Sequence, residues 1–303
     1  MKIKLLATVL ALVFGSSALV AQDYAFRVIA NKGAVEYKSG DAWQPVKTGA
    51  SLQSSDEIKL GENAYVGLVH KSGKPMELRE AKSYKVIDLA KSVGTGSSVL
   101  NKYTDFILSA NSAEAKKNRL AATGAVTRAT FTPDIKVFLP ENQYAGIFNK
   151  TVVINWESAK TPGPFVVTIM SMYEDELMKE ETPETSYRLD LSNPKIEKES
   201  KQALLVIVSS KNDPNIKSGR YLVKNLSDDE SAKIKTAWAE ISGDVNDETA
   251  LNKFLQAGFY EEHKLFIDAI ASYEDAIRIA PDVDLYKEAY EEFLLRNKLK
   301  SPK

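Results

Sequence analysis

The sequence predicts a multidomain β plus α protein: an antiparallel β-domain, then a β-sandwich, then a C-terminal helical hairpin. Three observations predict it. Short runs rich in Val, Ile, Tyr and Leu, broken by glycine-bearing turns, fill residues 24–90. A second set of strand-like runs fills residues 133–226, beyond a connector at 91–132. From residue 227 to 303 the apolar side chains recur at helical spacing.

The chain opens with "MKIKLLATVLALVFGSSALVAQ". Lys2 and Lys4 give a charged start, Leu5–Phe14 an apolar run, and Gly15–Ala18 a small-residue exit. This order predicts a signal peptide over 1–21, cleaved between Ala21 and Gln22. The alternative is an N-terminal membrane anchor, but the apolar run is short against the ~20 residues a span needs. No later stretch is long and apolar enough to cross a bilayer, so no transmembrane span is expected after signal removal. The expected location is outside the cytoplasm, in the periplasm or cell envelope. The chain has no cysteine, which removes disulfides, zinc–thiolate sites, cysteine nucleophiles and a lipid anchor on cysteine. Losing Lys2 and Lys4 leaves 38 basic against 41 acidic residues, a net charge of −3. Such a balance gives no electrostatic reason to bind nucleic acid.

In the first domain "FRVIA", "AVEYK", "DEIKL", "AYVGLVH", "PMELRE" and "SYKVIDL" read as strands. They are separated by "NKG", "KSGD", "KTGA", "LGEN" and "KSGK", each with a glycine beside polar residues. Alternation at Val66 and Leu68, and at Met76 and Leu78, predicts one buried face per strand. Spacing this short leaves no room for crossover helices, so the sheet is expected to be largely antiparallel. Asp56 is expected to tie a turn through its carboxylate. Trp43 and Pro45 fit an edge strand, with Trp43 covering the edge or serving as an exposed ligand platform.

The order Gly33–Val35, Gly40, Trp43–Pro45–Val46, Gly49, Leu52, Asp56–Ile58 and Val66–Leu68 resembles the FecR domain. The likeness covers most of residues 28–89. It implies that domain's fold, and FecR proteins themselves are implied to relay signals from an outer-membrane receptor to a sigma factor. The relay needs a membrane span and a cytoplasmic segment, and this sequence departs from that pattern; the fold alone is carried over.

"KSVGTGSSVL" at 91–100 reads as a linker, and Leu100, Tyr103, Phe106 and Ile107 predict a helix near 98–110. Lys116, Lys117 and Arg119 read as a solvated face, with a polyanion site as the lesser reading. Strand patterns return in "DIKVFLP", "TVVINWES", "PFVVTIMSMY", "TSYRLDL", "QALLVIVSS" and "GRYLVKN". The segment "VVINWESAKTPGPFVVTIM" resembles the start of immunoglobulin-like domains. That likeness puts Ile154 and Trp156 on one strand face, with Trp156 between two sheets. The acids Glu174, Asp175, Glu176, Glu180 and Glu181 read as a solvated hairpin tip; calcium is the competing reading, but no glycine-turned ligand loop accompanies them.

Ser227 with Glu230 predicts a capping box at the first C-terminal helix, and Ile234 and Trp238 share its face. Three more helices are expected in "ETALNKFLQAGFYEEHK", "LFIDAIASYEDAIRIA" and "VDLYKEAYEEFLLRN". Ala257, Tyr260, Ala269, Tyr273, Ala276 and Pro281 resemble a tetratricopeptide repeat over about 248–282. Small residues let two helices approach, tyrosines fill the gaps, and Pro281 stops the second helix. Lys253 and Gln256 depart from the pattern, standing where the family prefers Trp and Leu. The repeat implies either partner binding or docking of one domain on another.

No catalytic, cofactor-binding or metal-ligating residue is predicted, and no cofactor. No G-x-S-x-G, H-E-x-x-H, P-loop or dinucleotide glycine motif is present. His70 and His263 read as structural. The sequence therefore favours a non-catalytic envelope protein that binds partner proteins or envelope polymers. The alternatives are a ligand-sensing accessory in envelope signalling or iron-uptake regulation, and an envelope hydrolase acting through a carboxylate pair.

Overall fold

A computed structural model describes residues 24–93, 99–123, 134–141, 144–242 and 249–300. The expected signal peptide and its cleavage point lie outside the described residues, as do 94–98 of the expected linker. The architecture is mixed β plus α, with mainly antiparallel sheets.

The first unit holds β1 (Phe26–Lys32), β2 (Val35–Ser39), β3 (Ala42–Pro45), β4 (Ser51–Leu52), β5 (Glu57–Leu60), β6 (Tyr65–His70), β7 (Pro75–Leu78) and β8 (Ser83–Lys85). They form two antiparallel four-stranded sheets, ordered β4-β1-β6-β7 and β3-β2-β5-β8. Phe26, Val28, Leu52, Val66 and Leu68 of one sheet and Val35, Ile58 and Leu60 of the other share a core. The predicted turns form. Gly40 closes the two-residue connection from Ser39 to Ala42 at φ 74°, and in "LGEN" Asn63 takes the left-handed conformation instead of Gly61.

Two expectations here need correction. Residues 86–89 are not strand: α1 (Val86–Val93) begins where β8 ends, so the β-unit stops at residue 85 and the connector is partly helical. Val86 still enters the core, which is why its apolar pattern read as strand. Nor does every strand bury a single face. In β6 all six residues are buried, because Val66 and Leu68 face the second sheet while Tyr65 and Val69 face the helices. A strand buried on both sides loses its alternation.

After α1 come α2 (Val99–Ala110) and α3 (Ala113–Thr123). The middle unit holds β9 (Ile135–Val137), β10 (Tyr144–Ile147), β11 (Thr151–Ser158), β12 (Phe165–Ser171), β13 (Glu176–Thr182), β14 (Ser186–Asp190), the short α4 (Glu197–Ser200), β15 (Leu204–Ser210) and β16 (Tyr221–Asn225). A five-stranded sheet, β10-β16-β15-β12-β13, faces a three-stranded one, β14-β11-β9. Only the β10–β16 pair within them is parallel among the described strands. Trp156 is buried between the sheets, edge-on to Phe165 at 5.5 Å, the position expected for it. The acidic segment corrects another expectation: Glu176–Thr182 is strand β13, paired with β12, so only Glu174 and Asp175 lie in the turn.

The last four helices are α5 (Asp228–Ser242), α6 (Ala250–Glu262), α7 (Phe266–Ile279) and α8 (Asp284–Arg296). The capping box at α5 forms as predicted: Ser227 Oγ accepts from Glu230 N, and Glu230 Oε2 accepts from Ser227 N. Ala257, Ala269 and Ala276 are fully buried where α6 and α7 pair, and Tyr260 and Tyr273 fill the space beside them. Gly258 lets α2 approach α6; a Cβ there would stand 2.6 Å from Ile107. α7 stops at Ile279, just before Ala280 and Pro281.

These helices do not form a separate tail. Ile29, Ala30, Tyr65 and Val69 of the first unit belong to the same apolar core as Phe254, Tyr273, Tyr286 and Phe293. Leu100, Tyr103 and Ile107 of α2 join it, so the expected connector helix is part of the core. On the other side α7 lies against β10 and β11.

Candidate functional site at the helical joint

The buried polar groups concentrate where the helices meet each β-unit. Towards the first unit, Tyr65 and Tyr286 hydroxyls bond each other at 2.6 Å inside the core. Burial pushes both phenols above their ordinary pKa, so both stay neutral. Thr249 caps α6 through its hydroxyl, which accepts from Asn252 N. Glu77 of β7 accepts from Leu251 N at 2.7 Å, a carboxylate at a helix N-terminus. The Arg79 guanidinium covers the Tyr65 ring at 4.5 Å.

Within the helical layer, Arg296 of α8 clamps buried Glu261 of α6 through Nε and Nη2, at 2.6 and 2.5 Å. Asn297 donates to the same carboxylate, and Arg296 also reaches Asn111 after α2. Burial works against the guanidinium charge, but the Glu261 bonds outweigh it and raise its pKa. This network is fully bonded and ties three helices.

Towards the middle unit, Asp268 in the first turn of α7 accepts from Phe148 N, Asn149 N and Asn149 Nδ2, at 3.0, 2.9 and 2.8 Å. Burial pushes its carboxyl up to about 6, against the lowering effect of those donors. One turn and a half further on, Glu274 accepts from Asn155 of β11 and Tyr290 of α8. Burial raises its pKa too. A polar cleft of about 420 Å³ lies beside them, lined by Arg188, Lys253, Gln256, Glu274, Asp275 and Arg278 among others. A second cavity, also about 420 Å³ but apolar, opens between the first unit and the helices at Ile29, Gly49, Ile107, Phe254 and Leu285.

The residues singled out from sequence fall elsewhere. Trp43 sits on edge strand β3, 39% exposed, with Lys59 Nζ 5.9 Å from its ring. Asp56 ties its turn as expected, Oδ2 accepting from Gln53 N at 2.7 Å. His70 is buried; its Nδ1 accepts from Ser72 N and contacts Ser72 Oγ, while its ring meets Phe26 at 5.0 Å. His263 ends α6 against Phe259, its Nε2 3.5 Å from the Tyr103 hydroxyl. Burial lowers the pKa of both histidines, with Lys71 adding to the effect at His70. The acids near β13 pair singly with cations: Glu174 with Arg220, Glu176 with Lys179, and Glu181 with Lys211. No group of three metal-ligating side chains occurs among the described residues. Lys116 pairs with Glu288 across to α8.

Sequence reasoning missed Asp268, Glu274, Glu261 and Arg296. A signal was present: Asp268 interrupts "LFIDAIA", an acid on the face that carries Leu265 and Ala269. Glu261 likewise continues the buried line of Phe254, Ala257 and Gly258. A charged residue on an apolar stripe marks a buried partner. No family model matches this chain, and a comparison with curated proteins finds no match. No described helix is long and apolar enough to cross a membrane.

Proposed function

We propose that this chain is a non-catalytic protein of the cell envelope that binds partner proteins or envelope polymers. The reading takes the first unit as FecR-like, the middle unit as immunoglobulin-like and the α6–α7 pair as tetratricopeptide-like. One observation carries it: the buried acids are each bonded in structure, Asp268 and Glu274 across to the middle unit and Glu261 between helices. Support for the module assignments comes from the Asp56 turn, the Trp43–Pro45 edge strand, Trp156 between its sheets and the alanine-faced helix pair. The helix pair is occupied on both sides, so it serves as the docking element between domains. Partner contact then falls to exposed aromatic positions on the β-units, Trp43 and, at 80% exposure in the β12–β13 turn, Tyr173.

Photo-crosslinking residues placed at positions 43 and 173 in intact cells test this. Discrete adducts are expected there and not at exposed Lys198. Adducts no stronger than at 198, or turnover of peptidoglycan or glycan by the purified chain, would overturn it.

The apolar cavity favours one second reading, ligand sensing through the first unit. A small apolar ligand is then expected to raise the melting temperature of the whole chain, and Leu285→Trp to remove that rise.

A further inference from the structure

A helix lying against a sheet buries apolar side chains between the two. The cleft between α6, α7 and the outer face of the β14-β11-β9 sheet breaks that rule. Thr151 and Val153 of β11 line it from the sheet, and Arg188 of β14 lies directly across from Val153, so their side chains share that outer face. Lys253 and Gln256 line it from α6, and Glu274, Asp275 and Arg278 from α7. Four elements thus converge polar groups on one space of about 420 Å³, within the size range of small-molecule sites.

Its charges are not evenly committed. Glu274 is bonded to Asn155 and Tyr290, and Asp275 is paired with Arg278 at 2.8 Å. Among the described residues no carboxylate bonds Arg188 or Lys253; the Lys253 ammonium meets only neutral Gln256, at 3.3 Å. The cleft therefore offers two cations on opposite walls that bond no carboxylate among the described residues, Arg188 lying in the field of Glu274. Such a field attracts an anion, and the acids beside the cations accept from hydrogen-bond donors carried by the same molecule.

We propose that this cleft binds a small monocarboxylate that carries its own hydrogen-bond donors. Its carboxylate lies between Arg188 and Lys253, the planar guanidinium supplying two parallel donors. Its ammonium or hydroxyl groups face Asp275 and Gln256. Neither Trp43 nor Tyr173 lines the cleft, and a failed titration here leaves the crosslinking result untouched.

Calorimetric titration of the full purified chain tests it with three probes: alanyl-alanine, glucuronate and inorganic phosphate. One of the carboxylates is expected to bind saturably. Alanyl-alanine identifies a zwitterion and glucuronate a hydroxy acid. Arg188→Gln and Lys253→Gln are each expected to weaken that binding by roughly tenfold or more, the loss of a charged hydrogen bond. Lys253→Met repeats the test with the helix surface kept covered, and unchanged melting shows the fold is retained. Lys198→Ala, at an exposed position outside the cleft lining, leaves the affinity as it was. The proposal fails if neither carboxylate binds at millimolar concentration, if phosphate binds more tightly than both, or if the charge-removing variants bind as the parent does.

Discussion

The helices hold two β-units by different physics. Against the first unit the contact is a continuous apolar core, with Ile29, Ala30, Tyr65 and Val69 packed among helical aromatics. Gly67 of β6 allows this closeness, since a Cβ there would meet Leu251 at 3.2 Å. The polar contacts in that joint include the neutral Tyr65–Tyr286 pair, the Glu77 carboxylate on Leu251 N and the Lys32–Asp282 ion pair. Against the middle unit α7 contributes Ile267 to the sandwich core, Phe138 and Phe148 pack on the helical core, and the buried carboxylates Asp268 and Glu274 add bonds across the joint. The first joint is a fused apolar core; the second adds a clasp of buried carboxylates whose pKa values burial raises. One helical layer thus makes one unit inseparable and leaves the other responsive to its solvent.

The chain has three tryptophans, and they fall one to each region: Trp43, Trp156 and Trp238. Variants that keep one tryptophan each report the regions separately in urea. The largest effect is expected from Phe254→Ala. Phe254 is buried against Tyr273 and Tyr286, with ring centroids 5.9 and 5.0 Å away. Its truncation should cost about 3–5 kcal/mol, the usual range for a buried phenylalanine. The Trp43 and Trp238 transitions should move together and by more than that of Trp156. If Trp43 kept its midpoint while Trp238 lost its own, the fused-core description would be wrong.

The clasp should show itself in pH. The folded pKa of Asp268 is raised to about 6 by burial, above its ordinary value. A carboxyl raised on folding binds more protons in the folded chain than in the unfolded one. Its contribution is therefore fully present below about pH 4, the unfolded value, and is lost as pH rises through about 6. Glu274 is shifted in the same direction. Urea midpoints read at Trp156 should fall between pH 5 and 7 by the equivalent of about 1 kcal/mol from Asp268. Asp268→Asn should flatten that slope, because the amide does not titrate. A parallel slope in the two proteins would show that the proton binds elsewhere.

Much of this layout was legible in the residues. The turn glycines, the Ser227–Glu230 cap and the alanine-lined helix pair announced themselves, because each is a local rule acting over a few positions. What was lost is non-local. β6 is buried twice and so lacks the alternation that marks a half-buried strand. The strand in β13 was hidden because Glu180 and Glu181 are polar on an exposed edge, where pairing with β12 rather than burial holds the backbone. β10 was missed because its partner, β16, lies far along the chain and runs parallel to it. The joints were hidden for the same reason: Asp268 and Asn149 stand 119 residues apart, and only their acid and amide character hints at the pairing.

A smaller effect tests the neutral bond in the fused joint. Tyr286→Phe removes one hydroxyl from the Tyr65–Tyr286 pair and leaves both rings in place. The expected loss is about 1 kcal/mol, the net value of one buried hydrogen bond, and it should be the same at pH 5 and pH 7. That flatness is the contrast with Asp268: two buried polar contacts, one on each side of the helices, with only one answering to protons.

The smallest effect on stability should come from Trp43→Ala. The side chain lies on an edge strand whose four residues are all exposed, with only the Lys59 ammonium near its ring. Removing such a residue changes stability by about 0.5 kcal/mol or less. A large exposed tryptophan that contributes so little to folding is held at the surface against its own solvation preference. Stability unchanged at the Trp156 and Trp238 reporters, together with loss of crosslinks at position 173 or of partner recovery, would assign Trp43 to contact. A loss of several kcal/mol would instead make it a packing residue of the first unit and move the binding surface elsewhere.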